Sequence, residues 1–164
     1  YRVWTAACRE KGARVCLDAD GVLLAEGLKA APYLIKPNED ELSRLVGHRL
    51  TDTDELIAEG RRLLKGGVTR VVISLGEHGA LYLRGNEVLY AEGLSVPVGS
   101  TVGAGDSVVA ALAYAEAQGL SEEEAVRLST AAGAANVMCS GTQAAEREAV
   151  EALLPKVHFS RLRP

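Results

Sequence analysis

Gly99-Ser100-Thr101-Val102-Gly103-Ala104-Gly105-Asp106-Ser107 runs straight into the apolar helical pattern Val108-Val109-Ala110-Ala111-Leu112-Ala113-Tyr114-Ala115. Glycines on either side of one alanine let the backbone turn tightly into a helix start with no side chain in the way. The first amides of a helix have no intrahelical acceptor and sit at the positive end of its dipole, so the stretch suits an anion such as phosphate. Asp106 follows at once. A carboxylate beside an anion nest makes sense when it meets a different partner, an acidic hydroxyl proton or a metal.

Downstream, the helix is expected to stop at Gly119, and Ser121 with Glu124 has capping-box spacing for another helix to about Cys139. The loop Ser140-Gly141-Thr142-Gln143 precedes a last helix over 147–154, which Pro155 ends. Upstream, 94–98 reads as an edge strand, and 80–84 and 87–91 read as a hairpin about Gly85-Asn86. Val71-Val72-Ile73 is the strongest central-strand signal; shorter strands are expected at 14–18 and 33–36. Helices fill the intervals at 3–11, 22–30, after Pro37, and from the Thr51-Asp52-Thr53-Asp54 cap through Leu64. Alternating strands and helices predict an α/β fold with a mostly parallel sheet and an antiparallel hairpin.

The 164 residues, 48% of them apolar, are enough for one core and predict a single domain over 1–164. A net charge of -4 without a basic stripe argues against nucleic acid or an anionic membrane as partner. Cys8, Cys16 and Cys139 lack metal-ligand spacing and read as reduced thiols of a cytoplasmic protein. The first residues are already in helical pattern with no initiator Met, which reads as part of a longer protein.

Three loops stand at expected strand ends, where α/β sheets collect ligands. They are Asn38 and Glu41 after the 33–36 strand, Ser74-Leu75-Gly76-Glu77-His78-Gly79 after Ile73, and the opening stretch. Each also has a reading without a ligand. Asn38 and Glu41 have the spacing of a helix cap, Gly76 and Gly79 of a plain turn, and Asp106 of an acid that complements a helix dipole. Three such loops, each with a polar side chain, favour convergence on one site. There is no G-x-x-x-x-G-K-[ST] segment, and Val108 stands where a dinucleotide fingerprint needs its third glycine.

Asn38-x-x-Glu41, Ser74-x-Gly76-x-x-Gly79 and Ser100-Thr101-Val102-Gly103-Ala104-Gly105-Asp106 together resemble the ordered C-terminal motifs of the PfkB (ribokinase-like) carbohydrate kinases. Leu34-Ile35-Lys36-Pro37-Asn38, the Asp18-x-x-Gly21 turn and Ser140-Gly141-Thr142 are most similar to members acting on fructose 1-phosphate and tagatose 6-phosphate. The resemblance implies a three-layer αβα fold, seen here in its C-terminal portion. It also implies transfer of the ATP γ-phosphoryl group to a phosphosugar hydroxyl, fructose 1-phosphate becoming fructose 1,6-bisphosphate.

By the same resemblance Asp106 is the catalytic base, and the amides of Gly103, Ala104 and Gly105 form the anion hole. Asn38 and Glu41 hold hydrated Mg²⁺, Glu41 through water, with Asn38 also near the phosphates. Ser74, Leu75, Gly76, Glu77, His78 and Gly79, together with Gly105, lie along the nucleotide phosphates, and Asn136, Gly133 and Ala132 wall the nucleotide pocket. Asn136 reads equally well as a polar residue satisfied within its helix. Ser100 departs from the family pattern, where many members carry an acid.

The resemblance further implies that the sugar contacts and lid belong to the missing half. The chain alone is therefore expected to be nearly inactive, with an uncovered sheet edge or face that favours homo-oligomers. Two rival readings remain: a nucleotide-binding module without catalysis, and a kinase of the same superfamily acting on another sugar or a nucleoside.

Overall fold

Short apolar segments alternate with well-capped helices, and this sets the element order. The computed structural model describes residues 1–162; Arg163 and Pro164, the last two of the expected 1–164 domain, lie outside the described residues. The elements are α1 (Arg2–Glu10), β1 (Cys16–Leu17), α2 (Gly21–Leu28), β2 (Leu34–Ile35), α3 (Glu39–Val46), α4 (Thr53–Lys65) and β3 (Arg70–Ser74). A 3₁₀ turn (Gly76–His78) leads to β4 (Gly79–Arg84) and β5 (Glu87–Glu92), then α5 (Ala104–Gln118), α6 (Glu122–Val137), α7 (Arg147–Leu153), a 3₁₀ turn (Leu154–Lys156) and β6 (Phe159–Arg161).

The fold is α/β with a mixed six-stranded sheet in the order β1-β2-β3-β4-β5-β6. β1, β2 and β3 run parallel, with Cys16 opposite Leu34 and Leu34 opposite Arg70, whereas β5 and β6 are antiparallel. β4 and β5 are neighbours joined by the two residues Gly85-Asn86, a link that only antiparallel strands can use. Gly85 turns there with φ 58°.

Two differences from the sequence reading stand out. Residues 94–98 form no strand. Pro97 has no N–H to give a ladder, and Leu94 and Val96 instead pack on the cluster of Ala131, Ala135, Leu153 and Val157. The second is β6, which the sequence reading lacks; its Phe159 lies opposite Ala91 and its Arg161 opposite Leu89.

The described residues divide into two compact units. Tyr1–Leu75 and Leu81–Val88, with Leu162, make the first; Gly76–Ala80 and Leu89–Arg161 make the second. In the first unit Val71, Val72 and Ile73 are completely buried, as a strand covered on both faces requires. Each such side chain contributes about 1.5–3 kcal/mol by leaving water. α4 lies so close to the strands that a Cβ on Gly60 would stand 2.8 Å from Leu83 Cδ2. In the second unit α5 and α6 pack against each other through small residues, and a Cβ on Gly133 would stand 2.8 Å from Val108 Cγ2. Ser121 and Glu124 form the expected capping box at the start of α6.

Candidate active site

In the first unit the candidate residues gather at the start of α3. Asn38 is the N-cap: its Oδ1 accepts the Glu41 N–H at 2.8 Å, and Glu41 Oε2 accepts the Asn38 N–H at 2.9 Å. The spacing that suggested a cap is thus a full capping box. It leaves Glu41 Oε1 and Asn38 Nδ2 outside the reciprocal bonds. Ser74 is brought beside Asn38 by a parallel bridge, its N–H donating to the Pro37 carbonyl at 3.0 Å. Two of the three expected loops are therefore neighbours at the carboxyl ends of β2 and β3, and Leu75 continues from Ser74.

Two ion pairs that the sequence reading did not identify join the same region. Lys36, buried just after β2, places Nζ 3.3 Å from Asp18 Oδ2, and Arg44 of α3 places Nη2 2.9 Å from Asp20 Oδ2. The hydrogen bond to Asp20 raises the Arg44 pKa above its ordinary value. Asp20 also caps α2, accepting the Gly21 N–H at 2.6 Å. The β1–α2 turn is thereby tied to the helix that carries Glu41. Lys36 and Asp18 are far apart in sequence, so only the parallel register of β1 and β2 discloses the pair.

The second unit holds the opening stretch. Gly103 is the N-cap of α5 in the left-handed conformation, with φ 86°, and no side chain caps the helix start. The first closed helical bond runs from the Ser107 N–H to the Gly103 carbonyl at 2.9 Å. The Ala104 N–H makes a long 3.4 Å bond to the Thr101 carbonyl, while among the described residues Gly103, Gly105 and Asp106 have no backbone acceptor for theirs. Asp106 is exposed in the first turn, and its carboxylate has no hydrogen-bond or ion-pair partner among the described residues.

The approach to this helix start is strapped to the far end of α6. Gly99 and Ser100 donate to the Val137 carbonyl at 2.8 and 3.1 Å, and a Cβ on Gly99 would overlap the Cys139 carbonyl. Ser100 Oγ accepts the Val102 N–H at 3.2 Å, so the residue that departs from the family pattern builds the turn into Gly103. Asn136 lies beneath, 4% exposed, where a Cβ on Gly103 would be 3.3 Å from its Oδ1. Its Nδ2 donates to the Gln143 carbonyl at 3.0 Å, whereas Oδ1 is buried with no donor. Gly133 stands one turn earlier on α6, and Ala132 beside it is buried. A hollow of about 560 Å³ opens at the end of α6, with Ala135, Met138, Cys139 and Ala149 in its wall. No local sequence signal marks it, since it is made by the turn from α6 to α7.

The 3₁₀ turn also belongs to the second unit. Gly76 and Gly79 have φ of 60° and 105°, and Glu77 and His78 between them are exposed. The Tyr90 hydroxyl donates to the His78 carbonyl at 2.7 Å.

Comparison with known proteins adds the following. The profile of the pfkB family carbohydrate kinases matches residues 1–149. A 1-phosphofructokinase of Haemophilus influenzae is 38% identical over 160 residues, 97% of this chain and 51% of that protein. Phosphofructokinase-2 of Escherichia coli, solved in complex with substrates and products, superposes with a TM-score of 0.89 at 33% identity, over 94% of this chain and 51% of its own. Arabidopsis thaliana ribokinase, complexed with ribose and ATP, gives a TM-score of 0.80 at 30% identity, over 92% and 50% of the two chains. The chain spans about half the length of these relatives. The α/β order, the glycine-led start of α5, the capped start of α3 and a profile match over most of the sequence converge: the chain belongs to the pfkB family of carbohydrate kinases.

Proposed function

We propose that this chain is the nucleotide-binding and catalytic portion of an ATP-dependent carbohydrate kinase whose acceptor is a phosphosugar, fructose 1-phosphate, and whose product is fructose 1,6-bisphosphate. The observation that carries the reading is the start of α5, where an exposed, unpartnered Asp106 shares one helical turn with open backbone amides. In the proposed reaction the sugar hydroxyl oxygen bonds to the γ-phosphorus as the bond to the β-phosphate oxygen breaks. ADP leaves with that electron pair, and the hydroxyl proton passes to the Asp106 carboxylate. Phosphoryl transfer has a loose transition state, so the site has mainly to align the hydroxyl and face the γ-phosphate oxygens with fixed donors. The amides of Gly103, Ala104 and Gly105 are assigned that task, the Ala104 amide being the one already shared with Thr101.

Asn38 and Glu41 are assigned to Mg²⁺, which when bound would neutralise phosphate charge. The donor set fits a hydrated ion, because Glu41 Oε1 stays outside the capping bonds and a carboxylate oxygen is a donor that Mg²⁺ takes readily through its water shell. Ser74 and the residues through Gly79 are assigned to the nucleotide phosphates, with Gly133 and Asn136 on the nucleotide side of the second unit.

Asp106→Asn in the intact protein tests the reading. The variant is expected to bind ATP as the wild type does while losing about 10²–10⁴-fold in transfer to fructose 1-phosphate. Equal loss of binding and turnover, or turnover that survives, would overturn the assignment. A panel of phosphorylated ketohexoses in the same assay tests the acceptor.

A further inference from the structure

We infer that Tyr90 is a positioning residue for nucleotide binding, acting through the 3₁₀ turn Gly76–His78; the inference rests on the reading that this turn lies along the nucleotide phosphates. One turn of 3₁₀ helix is weak by itself, and here both flanking glycines are in the left-handed region with exposed residues between. Its shape is imposed from β5 and the residue that follows it. A Cβ on Gly79 would overlap the Ala91 carbonyl, and a Cβ on Gly93 would overlap the Glu77 carbonyl, so backbone lies directly on backbone at both points. Tyr90 adds a side-chain tie, its hydroxyl donating 2.7 Å to the His78 carbonyl from twelve residues away.

The tie has a specific geometric effect. Leu89 and Ala91 are buried, so the strand alternation turns Tyr90 toward the half-exposed face, where its ring alone would serve as well as phenylalanine. The hydroxyl adds control over one peptide plane. A peptide unit is planar and trans, so anchoring the His78 carbonyl also fixes the direction of the following N–H and of the chain into Gly79. Without it the turn samples other orientations, and a phosphate must select the competent one at a cost in affinity. Once nucleotide is bound the turn is the same in both proteins, so the chemical step is untouched.

Tyr90→Phe in the intact protein, with Tyr114→Phe on the exposed face of α5 as control, tests this. The expected result is an ATP Kd and KM about 3- to 10-fold higher, the range that one lost hydrogen bond gives, with kcat unchanged and the control silent. Hydrogen exchange over 76–79 should quicken in the free variant and return to the wild-type rate when MgATP is added. A variant that melts lower yet keeps wild-type ATP affinity and exchange would overturn the inference, leaving the hydroxyl a structural role only. Should Tyr90→Phe fail to fold, Tyr90→Leu removes the hydroxyl with a smaller apolar side chain on the same half-exposed face, and unaltered ATP affinity in that variant overturns the inference as well. Failure of the wild-type protein to bind ATP would instead refute the reading of the turn itself, and the inference with it.

Discussion

Gly103 carries two constraints at once. Its φ of 86° belongs to the left-handed region, and the space where a Cβ would stand is bounded by Asn136 Oδ1 at 3.3 Å. Gly141 has a comparable φ of 60° with nothing within 4 Å, so it bears the conformational constraint alone. Gly103→Ala should therefore destabilise the protein by about 1–2 kcal/mol from backbone strain, and more than Gly141→Ala in urea unfolding. Asn136 makes the complementary case. Truncation to alanine removes the bond to the Gln143 carbonyl and should cost about 0.5–1.5 kcal/mol, while Asn136→Asp should cost more, because it puts a carboxylate where Oδ1 already lacks a donor. Chemical denaturation of the four variants beside the wild type orders these effects.

At the scale of elements, the helix ends were the most readable part of the sequence. Ser121 with Glu124 and Asn38 with Glu41 announce their helices, and both pairs close as capping boxes. The hydrogen bonds from Ser121, first its hydroxyl and then its backbone N–H, hold the exposed Glu124 carboxyl below its ordinary value of 4.5. A carboxylate whose pKa is depressed by folding stabilises the fold above its unfolded pKa and loses that contribution as the pH falls through its folded pKa. Ser121→Ala should bring the Glu124 titration up toward 4.5 in an NMR experiment, lower the melting temperature near neutrality, and narrow that difference under acid conditions. The strands were harder to read. Residues 94–98 have strand composition, but Pro97 cannot join a ladder and the apolar side chains are claimed by α6 and α7, a tertiary choice absent from the local pattern. Phe159-Ser160-Arg161 is too short for any period to show; its register with β5 and the Arg127 guanidinium 4.7 Å over the Phe159 ring set its place. At the candidate site the motif residues could be found from sequence, whereas the Lys36–Asp18 pair and the Tyr90 tie depend on which strands become neighbours.

At the scale of the whole molecule, the exposed apolar residues of the first unit set its expected behaviour. Val3 and Trp4 on α1 are 70% and 80% exposed, and Val22 and Leu23 on α2, which packs on α1, are uncovered too. Large apolar side chains left in water favour association. The 164-residue chain by itself should self-associate as its concentration rises, which sedimentation equilibrium would detect. Trp4 is the one tryptophan, so its emission should report a wet indole in dilute solution and shift to the blue on assembly. Because the chain spans about half the length of its relatives, it should also turn over fructose 1-phosphate feebly at best, and robust turnover by the isolated chain would count against the division of labour proposed here.

The pairing of β5 with β6 bears on how the protein is made. During synthesis β5 emerges before α5, α6 and α7, and the strand that pairs with it on the side away from β4 follows all three. Until Phe159 to Arg161 clear the ribosome, Leu89, Tyr90 and Ala91 present open backbone to any other nascent strand, so misassembly should be gravest while those helices are being translated.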